Sequence, residues 1–176
     1  MRQTSFASMQ CSMARSLELI GDWWTPLIIR DLHLGIDKFD DLVEDLGISR
    51  NLLTARLNHL TGHGIVARHA YSEHPPRFRY ALTEAGQALM PVLLALTAWG
   101  DQWATPEGGA PLQFRHSRCG QVFTPAVSCG ACGEPLALAE VEPLPGPGAR
   151  PGPGTRLVAS VLARRQADPS SQQQVR

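Results

Sequence analysis

Residues 39–61 read FDDLVEDLGISRNLLTARLNHLT, and two helices joined by a tight turn account for the run. Phe39, Leu42, Val43 and Leu46 fall three and four apart, the spacing that places side chains on one helical face. Gly47 is a stop signal. Ser49 is a good N-cap, because its hydroxyl can satisfy a free backbone N–H in the first turn. A further helix then spans about Arg50 to Thr61, with Leu53, Leu57 and Leu60 as its buried stripe. Ser49, Arg50, Asn51, Thr54, Ala55 and Asn58 lie largely on the opposite side. The spacing predicts a helix-turn-helix.

The flanks extend the pattern. In residues 12–20, SMARSLELI, the apolar positions Met13, Leu17 and Ile20 have helical spacing, and Gly21 ends the segment. Thr25-Pro26 opens another helix, with proline tolerated in the first turn. Leu27, Ile28, Ile29 and Leu32 are its apolar residues, and Gly35 ends it. Downstream, Gly62 and Gly64 close the helix that begins at Arg50. Ile65 to Tyr71 has strand character, Ser72 to Pro76 reads as a turn, and Phe78 to Leu82 alternates as a half-buried strand does. Together these predict a β-hairpin. Thr83 with Glu84 caps a long helix reaching Trp103, with Leu89, Val92, Leu93, Leu96, Trp99 and Trp103 apolar. Pro91 predicts a kink or a break in it. The expected fold is mainly α with a small β-hairpin, a winged helix-turn-helix over residues 11–105.

The charges suit such a unit. The chain has 176 residues, 43% hydrophobic and 18% charged, and its 16 basic and 16 acidic residues cancel. That composition supports one packed core and excludes a polybasic, tail-driven nucleic-acid binder. Locally the balance is uneven. Asp37 to Asp45 holds five acids and one lysine. Arg50, Arg56, Arg68, Arg77 and Arg79 face only Glu73 in the next thirty residues, where His59, His63, His69 and His74 also fall. A concentrated positive segment is what local phosphate contact needs, although solvated surface charges can also cluster by chance. A helix face of Ser49, Arg50, Asn51, Thr54 and Asn58 offers donors and acceptors to base edges in a major groove about 12 Å wide. Arg68, Arg77 and Arg79 on the hairpin could lie against the DNA backbone.

Beyond residue 105 the texture changes. His116-Ser117-Arg118-Cys119-Gly120 is followed by Cys129-Gly130-Ala131-Cys132-Gly133. Cys-x2-Cys-Gly is a knuckle in which two thiolates approach one metal while glycine permits the tight turn. His-x2-Cys-Gly has the same form with imidazole as first ligand. His116, Cys119, Cys129 and Cys132 make a Cys3His set of the type that holds structural Zn2+. Val122, Phe123, Ala126 and Val127 suggest a small hairpin between the knuckles. The expected module is a small zinc ribbon over residues 112–142, whose folding energy would come from the metal. The competing readings are free thiols or a redox pair at Cys129 and Cys132. Residues 143–176 begin PLPGPGARPGPG and end DPSSQQQVR. They are expected to be largely disordered, with one or two helical turns at 156–165.

The ordered set of motifs resembles the HxlR-type winged helix-turn-helix regulators of bacteria, relatives of the MarR group. The residues that carry the resemblance span about 11–104. They are Cys11, Gly21-Asp22-Trp23-Trp24-Thr25-Pro26-Leu27-Ile28-Ile29, Phe39 with Leu42, Gly47-Ile48-Ser49, Leu53-Thr54-Ala55-Arg56-Leu57 and Leu60. Gly64-Ile65-Val66-Ala67-Arg68, Pro75-Pro76, Tyr80-Ala81-Leu82-Thr83-Glu84-Ala85-Gly86 and Leu93 to Trp99-Gly100 complete it. The family more often has lysine before the tryptophan, where this chain has Asp22 and a doubled Trp23-Trp24. The resemblance implies a homodimeric transcription factor that binds double-stranded DNA. Its terminal helices would form the dimer interface, with a recognition helix near 50–61 and a wing near 71–79.

Candidate DNA contacts are therefore Ser49, Arg50, Asn51, Thr54, Arg56, Asn58, Arg77 and Arg79. Arg56 could instead pair with Asp40 or Asp41. Trp23, Trp24, Trp99 and Trp103 fit core and dimer packing better than a ligand cage, though an effector, a small molecule or an oxidant, could bind between the dimerisation helices and the winged domain. Cys11 begins the first helix, a place that raises thiol reactivity, and some regulators of this kind sense oxidants there. The alternative is an inert packed thiol. An enzyme is not expected. There is no phosphate-binding glycine loop, no GxSxG, and no convincing catalytic spacing of acids and histidines. An adaptor for RNA or protein, with the winged domain as scaffold, is the other reading. No run of 18 apolar residues exists and the N-terminal stretch lacks an apolar signal core, so a cytoplasmic protein without membrane contact is expected.

Overall fold

A computed structural model of the chain describes residues 5–105 and 107–167. The chain divides into two compact units, one of Trp23–Leu136 and one drawn from Met1–Asp22 and Ala137–Arg176.

The larger unit carries helices α2 (Thr25–Leu34), α3 (Phe39–Leu46) and α4 (Arg50–Gly62), then strands β1 (Val66–Glu73) and β2 (Pro76–Leu82). Helices α5 (Glu84–Gln87) and α6 (Met90–Trp103) and the short strands β3 (Phe114–Arg115) and β4 (Val122–Phe123) follow. The mainly helical winged fold is as the sequence predicts. The long helix is broken rather than kinked, at Ala88 and Leu89 just ahead of Pro91.

The turn between α3 and α4 depends on Gly47, whose φ of 62° lies in the left-handed region that favours glycine. Ser49 then caps α4 by accepting the N–H of Leu52 at 3.4 Å. The core forms where the apolar stripes meet. Ile28, Ile29, Leu42, Leu53, Leu57, Leu60 and Val66 are all sealed from solvent. Each such side chain contributes on the order of 1.5–3 kcal/mol. Strands β1 and β2 pair antiparallel, with Val66 opposite Leu82 and Arg68 opposite Tyr80.

One feature of the wing has no counterpart in the sequence reading. The segment before α3 joins the hairpin edge: Lys38 bridges Arg79, and the Tyr80 N–H donates to the Asp37 carbonyl at 2.8 Å. This locks the start of α3 to the second wing strand. At the other end of the hairpin, the Thr83 hydroxyl donates to the Gly64 carbonyl at 2.6 Å.

In the smaller unit, α1 spans Ser12–Ile20 and α7 spans Arg156–Ala167, with a 3-10 turn at Leu138–Glu140. Glu18 of α1 accepts the Ser5 hydroxyl at 2.8 Å and the Phe6 N–H at 2.6 Å. In the Pro/Gly stretch, a Cβ added at Gly154 would stand 2.9 Å from the Met9 sulfur. Within the tail expected over 143–176, the described residues end at Ala167. Gly152 lies beside Gln10 and Gly154 beside Met9, and the short helix expected at 156–165 runs to Ala167. Residues 168–176, the remainder of that expectation, lie outside the described residues.

Candidate nucleic-acid interface

Helix α4 divides cleanly into two faces. Leu53, Leu57 and Leu60 are 0–1% exposed, while Arg50, Asn51, Thr54, Ala55 and Asn58 face solvent. The buried face anchors the helix, so the polar face is held out as one rigid surface. Ser49 is exposed but committed to capping, which makes its part at this surface one of position. The Thr54 hydroxyl turns back to the Arg50 carbonyl at 2.8 Å. Arg56 differs from the other candidates in being partly buried.

The acidic run of α3 reaches into this surface. Arg50 donates to Asp40 at 2.7 Å and its guanidinium lies 5.0 Å from the centre of the Phe39 ring. Asp40 of α3 thus meets Arg50. Lys38 sits 3.8 Å from Asp41. On the wing, Arg79 donates to Asp37 at 2.9 Å and stacks 5.4 Å from Tyr71. Arg68 stacks 4.4 Å from Phe78. Arg77 is exposed and forms no ion pair among the described residues. An open groove of about 660 Å3 runs between the start of α3, Arg50 and wing residues Tyr71 and Arg77 to Tyr80. Both arginine–aspartate pairs lie at its rim. Exposed pairs of this kind are worth roughly 0–1 kcal/mol, so an incoming phosphate can displace the carboxylate.

The remaining candidates fall elsewhere. Trp23, Trp99 and Trp103 stay outside the protomer core, and Trp24 is partly buried. Cys11 is the partly buried N-cap residue of α1 and makes no side-chain capping bond. The His116 Nδ1 lies 3.3 Å from the Cys119 sulfur. The backbone N–H of Cys132, that of Ala131 and the Cys132 thiol donate to the Cys129 sulfur and hold its thiol below the ordinary range. Among the described residues, no three His, Cys, Asp or Glu side chains gather as a metal-binding group. The small hairpin of this region encloses the first knuckle, with Phe114 opposite Phe123, and does not lie between the knuckles as the spacing of Val122 to Val127 had suggested.

Over residues 19–108 the sequence matches the HxlR-like helix-turn-helix family, which is just over half of the chain. The chain belongs to that family. An HTH-type transcriptional regulator of Mycobacterium tuberculosis is 41% identical over 137 residues, covering 78% of this chain and 87% of the relative. The crystal structure of PA1607, a candidate transcription factor, has a TM-score of 0.69 and 33% identity, covering 79% of this chain and 97% of that one. PA1374 of Pseudomonas aeruginosa, another candidate transcription factor, gives 0.56 and 35%, covering 80% and 95%. The redox regulator HypR in its oxidised form gives 0.50 and 30%, covering 55% and 100%. This HxlR-like protein is a DNA-binding transcriptional regulator. Among the described residues no helix is long and apolar enough to cross a membrane.

Proposed function

We propose that the protein acts as a homodimer, with α4 in the major groove of duplex DNA and the β1–β2 wing on the sugar-phosphate backbone. The observation that carries this reading is the two-faced α4. Arg50, Asn51 and Asn58 are presented by a helix whose other side is fixed by three buried leucines. The early part of such a helix is where base edges are met. Asn offers paired donor and acceptor atoms to adenine, and Arg to guanine. Arg77, Arg79 and Arg68 supply phosphate contacts from the wing.

The dimer rests on α6. Val92, Leu96, Trp99 and Trp103 recur at helical spacing and are 55–68% exposed, while Met90 and Leu93 on the other side enter the protomer core. An apolar stripe with two exposed tryptophans fits an interface between identical chains. In the smaller unit, α1 also exposes Met13 and Leu17. On this reading the protein works by binding DNA in the cytoplasm rather than by catalysis.

The test is competition for the purified protein among duplex DNA, RNA of equal length and single-stranded DNA. Preference for the duplex supports the reading; preference for RNA, or no nucleic-acid binding at all, favours the adaptor reading. Regulation by oxidants through Cys11 is a second element of the proposal. Its support is the placement of Cys11 at the start of α1 together with the similarity to a redox regulator. Equal DNA affinity of wild type and Cys11→Ser under mild oxidant would remove it and leave a small-molecule effector.

A further inference from the structure

We propose that His116, Cys119, Cys129 and Cys132 form one structural zinc site. The region that holds them has no core of its own. From residue 107 to Leu136 no side chain is buried, and only Phe114, Pro125 and Cys129 are partly so. Val122, Phe123 and Val127 stay 40–55% exposed. Yet the backbone is turned twice in the same precise way. In the first turn the N–H of Gly120 donates to the His116 carbonyl at 2.8 Å, and the N–H of His116 to the Gln121 carbonyl at 2.9 Å. In the second, the N–H of Gly133 donates to the Cys129 carbonyl at 2.8 Å, and the N–H of Cys129 to the Glu134 carbonyl at 2.8 Å. Gly120 and Gly133 have φ of 71° and 81°, left-handed values that favour glycine. Each hydrogen bond and each glycine of the first turn reappears thirteen residues later.

Both turns aim a pair of ligands outward from one loop. Zn–S near 2.3 Å and Zn–N near 2.0–2.1 Å at the tetrahedral angle put sulfur and nitrogen about 3.5 Å apart. The His116 Nδ1 and the Cys119 sulfur stand at 3.3 Å, a ligand pair already at close to that separation. In the second turn, Cys129 and Cys132 occupy the positions that His116 and Cys119 hold in the first. What the structure does not show is the meeting of the two pairs. Residues 124–127 join them outside any strand, so the approach breaks no ladder. A metal ion supplies the energy that this coreless segment lacks. With four protein ligands no position stays open for water, which makes the site structural.

The test uses the full-length protein, purified under reducing conditions, loaded with Zn2+ and passed through gel filtration. The expected result is about one zinc per chain, with Co2+ in its place giving thiolate charge-transfer and tetrahedral ligand-field bands. His116→Ala, Cys119→Ser, Cys129→Ser and Cys132→Ser should each lower retained zinc at least tenfold, and Cys11→Ser should not. The winged domain has its own core, so an unchanged helical circular-dichroism signal shows that these losses are local. Addition of a chelator should make three further thiols reactive. Retained zinc well below one per chain after loading overturns the proposal. So does zinc that survives both His116→Ala and Cys119→Ser, because the site would then not span the two turns.

Discussion

Arg50 at the start of α4 is held by Asp40 of the preceding helix at 2.7 Å. The two side chains are 64% and 76% exposed, so the pair is easily broken by a stronger partner. On the proposed docking, in which Arg50 contacts DNA, Asp40 competes with the duplex for it. Replacing Asp40 by asparagine removes that competitor and one charge repelling the phosphates. DNA affinity should rise about two- to fivefold, the equivalent of a surface pair worth up to about 1 kcal/mol. Fluorescence anisotropy at fixed salt measures it; equal or weaker binding would show that Arg50 does not engage DNA.

Arg77 and Asn51 should fail in different ways. Arg77→Ala removes an exposed wing cation and should weaken binding to all duplexes alike, reducing the salt slope by about 1. Asn51→Ala should leave the salt slope intact and relax discrimination at one base position by about 1–3 kcal/mol. Binding titrations of matched and mismatched duplexes across a salt series separate the two. The same behaviour in both variants would contradict the docking geometry.

The stripe on α6 predicts a dimer that one charge can split. Trp99 is 59% exposed and Leu96 55% exposed in the protomer. Leu96→Asp or Trp99→Glu should therefore leave helical content and the protomer core intact while shifting sedimentation from dimer to monomer. Affinity for a two-site DNA should fall with it, because one half-site is then bound alone. A variant that remains dimeric would move the interface elsewhere.

Asp31 sets a pH dependence. It is a fully buried residue of α2, where Arg30 donates to Oδ1 at 2.7 Å. Oδ2 has no hydrogen-bond partner among the described residues. Burial pushes the carboxyl above its ordinary 3.8, against the opposing pull of Arg30. The folded state then keeps a proton that the unfolded chain has lost. Stability contributed by this group is present below the ordinary value and declines as pH rises through the raised one. Asp31→Asn should flatten that decline in urea midpoints measured across the acid range. Arg30 retains Asp45 at 3.4 Å. An unchanged slope would assign the dependence to other groups.

Much of the winged domain is written locally. Ser49 declares its cap, Gly47 its turn, and Leu53, Leu57 and Leu60 their stripe, each within one or two helical turns of sequence. Pairings between distant residues carry no such signal. Neither the Lys38–Arg79 bridge nor the Arg79–Asp37 pair, 42 residues apart, has any periodicity to reveal it. That Arg50 meets Asp40 depends on how the two helices pack, which composition does not reveal. The His116 and Cys129 turns are legible from spacing alone, since the turn itself fixes where its glycine must fall. Their hairpin was misplaced because apolar residues between knuckles look alike whether they pair across one turn or across the other. The packing of Gly154 beside Met9 was hidden for a similar reason: a Pro/Gly stretch reads as linker until a distant side chain lies next to it.

The most direct test of a sequence-reading dimer is selection of duplex DNA from a random pool by the full-length protein at about 150 mM salt, where non-specific binding has been trimmed by counterion competition. The expected result is an inverted repeat whose half-sites lie about one helical turn apart, or a multiple of it. Loss of the repeat with Leu96→Asp, and of preference at one base position with Asn51→Ala, should follow. A pool that stays random, with zinc and reductant supplied, would contradict the account.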